Sequence, residues 1–315
     1  MSTVAKIHIG VDVSKARLDV HMNPLNKAIA FVNSEDGIRQ FIEELKPYKV
    51  EQIVCESSGG YEDLMLKTLR RSGYKVWQVD PNRIKSFMRS EGKRAKTDVI
   101  DARMIALFSA QKAQPHEHVV QGKNHDLLCD LVKRRKDLTD MITIERLRLK
   151  HPSQKSCIDE IQAHIDFMNE QIKTLDKKIN QLIEEDDDLN KTAKIIESVP
   201  GIGRITSALL LAKMPELGRI ENKQAAALVG VAPYTQESGQ YRGASFIAGG
   251  RGIVRAGVYM AALVASRFNK KMKAFYQKLK AAGKKPKVAL VAVMRRLVVI
   301  LNIMIKEKTM WSGSA

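Results

Sequence analysis

Aromatic residues make up only 5% of the 315 residues, and the chain has just three cysteines and nine prolines. Cys55, Cys129 and Cys157 lie far apart without Cys-x-x-Cys spacing, which argues against a disulfide scaffold or a zinc site. No uninterrupted apolar run is long enough for a bilayer. The longest, Val288 to Ile305, is broken by Arg295, Arg296 and Asn302, so no membrane span is expected. The opening MSTVAKIHIGVDVSK lacks a basic start followed by an apolar helix, so no secretory leader is expected and a cytoplasmic setting is. Negative charge is scarce at the C-terminal end: residues 191–315 carry 22 Lys and Arg against five Asp and Glu. Residues 1–125 carry 20 against 15 and residues 126–190 carry 11 against 15, so nearly all of the net +18 lies in the last stretch. A one-sided field of that size attracts polyanions. Without an amphipathic anchor or lipidation signal beside it, nucleic acid is the expected partner rather than a membrane.

What is present falls into three segments, 1–123, 124–190 and 191–315. In the first, Lys6–Val13, Arg17–Met22 and Ala28–Val32 read as three short strands with hairpin-length connections. A helix from Ser34 and Glu35 to about Lys46 follows, then a strand at Gln52–Glu56, a helix at Tyr61–Ser72, and a strand at Lys75–Val79. A helix follows Pro81, and Thr97 can cap another over Asp98–Lys112. Three antiparallel strands followed by alternating helix and strand is the order of a ribonuclease H-like α/β domain.

The second segment reads as a helical hairpin. Ile158, Ile161, Ile165, Met168, Ile172, Leu175, Ile179 and Leu182 step by three and four, a coiled-coil pattern. The first arm, about Asn124–Lys150, carries a looser version, and His151-Pro152-Ser153 separates the two. The seam fits an intramolecular pair and a dimer stalk equally well.

The third segment reads as mainly α. Ser198-Val199-Pro200-Gly201-Ile202-Gly203, followed by a helix over Arg204–Lys213, resembles a helix-hairpin-helix module. In such a module Gly201, Gly203 and Arg204 would bring backbone N–H groups and a cation to a phosphate. A purely structural glycine turn is the plainer alternative, and the surrounding positive charge tips the reading toward contact with a nucleic-acid backbone. Lys284, Lys285 and Lys287 form a basic loop suited to phosphate contact or to simple solvation.

Four carboxylates draw attention. Asp12 lies within the first strand, where a charge is expensive unless a cation or strong donor meets it. Glu56 ends the fourth strand, a neighbour of the first in this topology. Asp98 and Asp101 are three apart on one helix and share a face. Together they can form an oxygen cage for one or two Mg²⁺ ions, with Mn²⁺ as an alternative ion, suited to phosphoryl transfer. Separately, each has an ordinary reading as a helix-start or solvated charge.

The stretches GVDVSK, CESSGGY and KTDVIDARM resemble the acidic motifs of DEDD transposases, whose catalytic domain is RuvC-like, and SVPGIG through ESG and YRGAS to VRAGVYMAAL resembles their C-terminal domain. These are the recombinases of insertion-sequence family one-ten, with its eleven-eleven subgroup and the related Piv DNA invertases. The resemblance implies RNA-guided, site-specific recombination of donor and target DNA with a bridge RNA. It also implies a prokaryotic, nucleoid-associated protein, a metal-binding tetrad at Asp12, Glu56, Asp98 and Asp101, and a serine nucleophile in the C-terminal domain. Recombination between two duplexes further implies a homodimer assembling to a tetramer. The matching serine is Ser238, with Ser245 the nearby competitor. Where many relatives carry a further Ser-Lys, this chain has Phe246-Ile247-Ala248-Gly249.

A serine beside glycine in a polar loop can reach a phosphodiester, and Arg242, Arg251 and Arg255 can clamp its oxygens. A Ser-Gly pair is also an ordinary turn. Three rival readings remain: a metal-only nuclease or junction resolvase, an architectural binder, and an actin-like ATPase. The last is disfavoured because Ser14-Lys15-Ala16 stands where a glycine-rich phosphate loop belongs.

Overall fold

The computed structural model describes residues 6–92, 98–112, 122–151, 154–235, 237–238, 241–243 and 245–312, with backbone alone at 98–100, 237–238 and 241–242. Thr97, the expected helix cap, lies outside the described residues. The chain divides into two compact units, 1–120 and 121–315.

The first unit runs β1 (Ile7–Val13), β2 (Arg17–Asn23), β3 (Lys27–Val32), α1 (Glu35–Leu45), β4 (Val50–Glu56), α2 (Asp63–Arg71), β5 (Val76–Val79), α3 (Pro81–Ser90) and α4 (Asp98–Gln111). The five strands form a mixed sheet in the order β3-β2-β1-β4-β5. β1–β2 and β2–β3 are antiparallel, whereas β1–β4 and β4–β5 are parallel. The sequence order dictates this pattern: short turns join the first three strands, and helical crossovers join the rest. Ser34 caps α1 through a bond from the Gly37 N–H, and Asp80 caps α3 with Pro81 in its first turn.

Both faces of the sheet are covered. Ile7, Ile9, Val11 and Val13 of β1 pack with Ile38, Phe41, Leu45, Met65 and Leu69 on one side. On the other, Val54, Trp77 and Val79 pack with Ile84, Phe87, Met104, Ile105 and Phe108. The second group places α4 on the sheet face opposite α1 and α2.

The second unit runs α5 (Lys123–Arg148), α6 (Lys155–Glu185), α7 (Asp187–Glu197), α8 (Arg204–Lys213), α9 (Asn222–Val229), β6 (Pro233–Tyr234), β7 (Glu237–Ser238), β8 (Tyr241–Arg242), β9 (Phe246–Ile247), α10 (Gly252–Phe268), α11 (Lys270–Ala281) and α12 (Pro286–Glu307). In the α5–α6 hairpin, Leu138 and Ile142 pack on Ile165 and Met168, flanked by Ile161, Ile172 and Leu175. Arg135 holds Asp176 with two bonds of 2.6 and 3.3 Å across the pair. The heptad face of α6 is therefore filled by α5 of the same chain. At the root, Leu128, Val132, Ile179 and Ile183 join the core built from α7, α8, α9, α10 and α12. The boundary expected at residue 190 thus falls inside one continuous core.

α12 has 22 residues and a mean hydropathy of 2.3 in its most apolar stretch, long and apolar enough to cross a membrane, although the sequence was expected to hold no such segment. Half of that stretch is buried inside the protein. Asn302, which interrupts the run in sequence, is a buried hub: its side chain accepts from the Gly218 N–H and donates to the Ile220 carbonyl and Asn222. The apolar face of α12 is the core of the second unit.

Candidate active site

Gly10 fixes the geometry of the acidic end of the sheet. A Cβ built there would lie 2.2 Å from the Ala102 carbonyl oxygen and 2.2 Å from the Ala106 nitrogen, so α4 rests on bare β1 backbone. Strand side chains alternate, and Asp12, two residues on, therefore faces α4 as well. Val11 pairs with Cys55 in the parallel β1–β4 register, which sets Asp12 beside Glu56 at the strand ends. Asp101 immediately precedes Ala102 on the helix covering this face. Asp12, Glu56 and Asp101 are all half-buried. The backbone of Asp98 opens α4 one turn earlier, and its side chain lies outside the described atoms.

Three adjoining elements thus bring carboxylates to one edge of the sheet. Among the described residues, no three His, Cys, Asp or Glu side chains already stand as a metal cluster. The donor set consists of oxygens only, which fits a hard divalent cation such as Mg²⁺ and does not fit zinc.

Sequence reasoning missed three residues around this edge. Asp19 on β2 stands directly opposite Asp12 in the antiparallel register, on the same face, with its side chain 12% exposed and held by Arg17 at 2.7 Å. Period-two alternation along Arg17-Leu18-Asp19-Val20-His21 was the available signal. Asn33 donates from its side-chain amide to both the Ser14 and Tyr61 carbonyls, each at 2.9 Å. It ties the turn after β1 to the loop after β4, a long-range contact with no local signature.

Glu62 is buried and accepts from Ser58 at 2.6 Å, the Gly60 N–H at 2.9 Å and Gln78 at 2.7 Å. Burial pushes its carboxyl up, but the Ser58 hydroxyl and backbone N–H donors outweigh it and hold the group below the usual range. These contacts fix the Ser57–Tyr61 loop that follows Glu56.

In the second unit, Ser238 lies in β7, which pairs with β8 in the register Glu237–Arg242 and Ser238–Tyr241. Beneath it β6 pairs with β9, Pro233 opposite Ile247 and Tyr234 opposite Phe246, with the last two rings stacked at 6.2 Å. The segment read from sequence as a loop is thus built of two nested ribbons. Short strands of two residues carry too little periodicity to read. Ser245 is exposed and immediately precedes β9. Gln236, Gly239, Gln240 and Ala244 lie outside the described residues, and Arg242 is described by its backbone alone.

The cations expected to clamp phosphate have varied surroundings. Arg251 holds buried Glu216 with bonds of 2.7 and 2.6 Å and also donates to the Lys213 carbonyl at 2.6 Å. Arg255 donates to the Gly249 carbonyl at 2.6 Å. Gly201, with φ +107°, leaves no Cβ room because the Ala265 backbone nitrogen would be 2.7 Å away, so its turn serves a close approach to α10. Gly203 faces open space, and Arg204 pairs with Glu184 at 3.3 Å on the surface. Lys284, Lys285 and Lys287 are all exposed around the start of α12.

Comparison with known proteins gives the family. Residues 9–152 match a DEDD transposase model of the IS110 type, and residues 193–277 match the model described as transposase IS116/IS110/IS902 family. Pilin gene-inverting proteins of Moraxella bovis and Moraxella lacunata are each 27% identical over 96% of this chain and 97% of their own length. The first match covers Asp12, Glu56, Asp98 and Asp101, and the second covers Ser238. Acidic sheet edge and serine ribbon both fall within matched segments, and the chain belongs to the IS110 family of DNA transposases and recombinases.

Proposed function

We propose that this enzyme cuts and rejoins DNA at specific sites by using Asp12, Glu56, Asp98 and Asp101 as a Mg²⁺-binding tetrad and Ser238 as the nucleophile. The observation that carries the reading is the parallel β1–β4 register, which sets Asp12 beside Glu56 under the helix bearing Asp98 and Asp101. The sheet order β3-β2-β1-β4-β5 supports a RuvC-like reading of the first unit. The family is one whose DEDD members use divalent metal.

The four carboxylates would hold the cation, which when bound polarises the scissile phosphate and offsets the repulsion between that phosphate and the acidic edge. Ser238 supplies the attacking oxygen. A serine–phosphate bond forms as the bond to one sugar oxygen breaks, the hydroxyl proton leaving serine while the sugar oxygen gains one. The link conserves the phosphodiester, so a hydroxyl from a new partner strand can displace serine without ATP. Simple hydrolysis loses that option. The Moraxella relatives are described as inverting a gene, an outcome that needs both cutting and rejoining.

The C-terminal charge excess supports binding of donor and target DNA and of a bridge RNA, with the exposed Lys284, Lys285 and Lys287 as cations placed to meet phosphate. Recombination also needs two duplexes held together, which we assign to a homodimer that pairs into a tetramer on DNA.

The test is capture of a covalent protein–DNA adduct on duplexes from the flanks of the gene, with the RNA transcribed from those flanks and Mg²⁺. Wild type should form it, and Asp12→Asn and Ser238→Ala should not, while both still bind nucleic acid. Adducts that persist in Ser238→Ala but vanish in Ser245→Ala move the assignment to Ser245. Cleavage without any adduct in wild type establishes the hydrolytic nuclease instead.

A further inference from the structure

The ribbon segment that carries Ser238 leaves the helical core at Gly230 and returns at Gly249 and Gly250, and its two ends meet. Gly230 closes α9 in the left-handed region at φ +76°, and Gly249 and Gly250 have φ +64° and +67°. A Cβ on Gly250 would come within 2.3 Å of the Gly230 nitrogen, and one on Gly230 within 2.3 Å of the Gly249 oxygen. The two backbones therefore cross with no side chain between them, which only glycine permits.

One side chain spans this crossing. Nη1 of Arg255 donates to the Gly249 carbonyl at 2.6 Å and reaches the Gly230 carbonyl at 3.4 Å. Arg255 lies one turn into α10, and the start of that helix is itself anchored: the Arg251 N–H bonds the Leu228 carbonyl at 2.7 Å, and its guanidinium grips buried Glu216. The crossing is thus tied from a rigid element. Among the described residues above it, β6–β9 and β7–β8, each strand two residues long, organise the ribbon. Such short ladders have little stability of their own, so the direction in which Ser238 is presented depends on the base.

We propose that Arg255 is a positioning residue, a clasp that closes the two ends of segment 231–250 and so sets where Ser238 meets DNA. The assignment rests on the reading of Ser238 as nucleophile. It replaces the role expected for Arg255 from sequence, that of a phosphate clamp. A neutral side chain of similar bulk such as methionine keeps the packing and removes the donor. Lysine keeps a charged donor and restores part of the tie.

The test uses the full chain as wild type, Arg255→Met, Arg255→Lys and Gly250→Ala, the last prying the crossing apart with Arg255 in place. Hydrogen exchange is followed at the backbone amides of Tyr234, Phe246 and Ile247. Adduct formation is timed on duplexes from the gene's flanks with the flanking RNA, and DNA affinity is measured across a salt series. Arg255→Met and Gly250→Ala should speed exchange in the ribbons and slow adduct formation by about 100-fold, the scale expected for an attacking group misplaced by an ångström. DNA affinity should stay within about twofold with its salt slope unchanged, because no phosphate contact is lost. Arg255→Lys should recover part of the rate. A salt slope lowered by about 0.9 in Arg255→Met, with ribbon exchange unaltered, would make Arg255 a phosphate contact and overturn the clasp. Faster exchange with an unaltered adduct rate would overturn positioning while leaving the tie. If Ser238→Ala still forms adducts, the nucleophile reading fails separately, and the exchange data alone decide whether Arg255 closes the crossing.

Discussion

Asp12 on β1 and Asp19 on β2 stand directly opposite each other in the antiparallel register and share the face covered by α4. Side chains so placed are about 5 Å apart at Cβ, close enough for two carboxylates to repel. Arg17 takes up the charge of Asp19 at 2.7 Å, which spares Asp12 a second bare carboxylate beside it. Asp19→Asn releases the Arg17 guanidinium to compete with a metal ion for Asp12 and should therefore lower Mg²⁺-dependent strand cleavage by about 10- to 100-fold, the range for a group that supports a metal ligand. Asp12→Asn should abolish cleavage. Titrating activity with Mg²⁺ checks the distinction: in Asp19→Asn a changed metal requirement should appear, and identical titrations would remove Asp19 from the site.

Gly10 offers a second handle. Its missing side chain lets α4 sit on the strand, and a methyl there would drive into the Ala102 and Ala106 backbone at 2.2 Å. Because both contacts are main chain, neither can rotate away, and α4 must shift. Gly10→Ala should lower stability by about 3 kcal/mol, at the upper end for overpacking, and displace Asp98 and Asp101 from Asp12. Urea unfolding combined with cleavage assays reads both effects. Wild-type activity at reduced stability would mean that the separation of helix and strand does not control the tetrad.

The strands and helices of the first unit are legible in sequence because their apolar periods are long and their caps explicit, as at Ser34 and Pro81; in the second unit α8 over Arg204–Lys213 also matches residue for residue. The strand residues Asp12 and Glu56 could be read from topology and burial alone. Asn33 could not, since it joins loops far apart along the chain, and Glu62 could not, since nothing local marks that carboxylate as buried. The second unit yields less. Its ribbons are too short to show alternation, and a half-buried arginine bound to buried Glu216 looks in sequence like any other arginine of a basic domain. Charge counts locate a field, but not which cations are already engaged.

His125 links stability to pH. It is buried at the start of α5, where one ring nitrogen lies 3.1 Å from the Leu211 carbonyl. Burial lowers its pKa from 6.5, partly offset by that bond. The unfolded chain therefore binds the proton at a higher pH than the folded one, so stability is full above about 6.5 and falls as acid is added through the unfolded value toward the lower folded value. One such group contributes a slope of at most about 1.4 kcal/mol per pH unit. His125→Gln should flatten the dependence of unfolding free energy on pH just below 6.5. Equal slopes in the two proteins would mean that other groups set the acid response.

Assembly is where the filled heptad seam changes what should be mutated. Ile165 is 3% exposed against α5 of its own chain, so Ile165→Asp would place a carboxylate in the hairpin core. It should destabilise by about 4 kcal/mol or more and reduce helix content, whatever the oligomeric state. The side chains free for a second copy lie elsewhere on the hairpin. On α5, Met141, Ile144 and Leu147 are 42%, 51% and 52% exposed, and on α6 Phe167 is 61% exposed. At helical spacing the first three form one stripe turned away from the residues that meet α6. Replacing Met141, Ile144 and Leu147 with serine should leave the circular dichroism and melting of the hairpin near wild type, since none of them is in its core. If two chains dock through this stripe, light scattering should show a wild-type dimer and a variant monomer, with recombination lost and nucleic-acid binding by the variant weakened but present. A variant that remains dimeric would move the contact off α5. A wild-type protein that is monomeric both free and on DNA would leave the hairpin as an internal strut of the second unit.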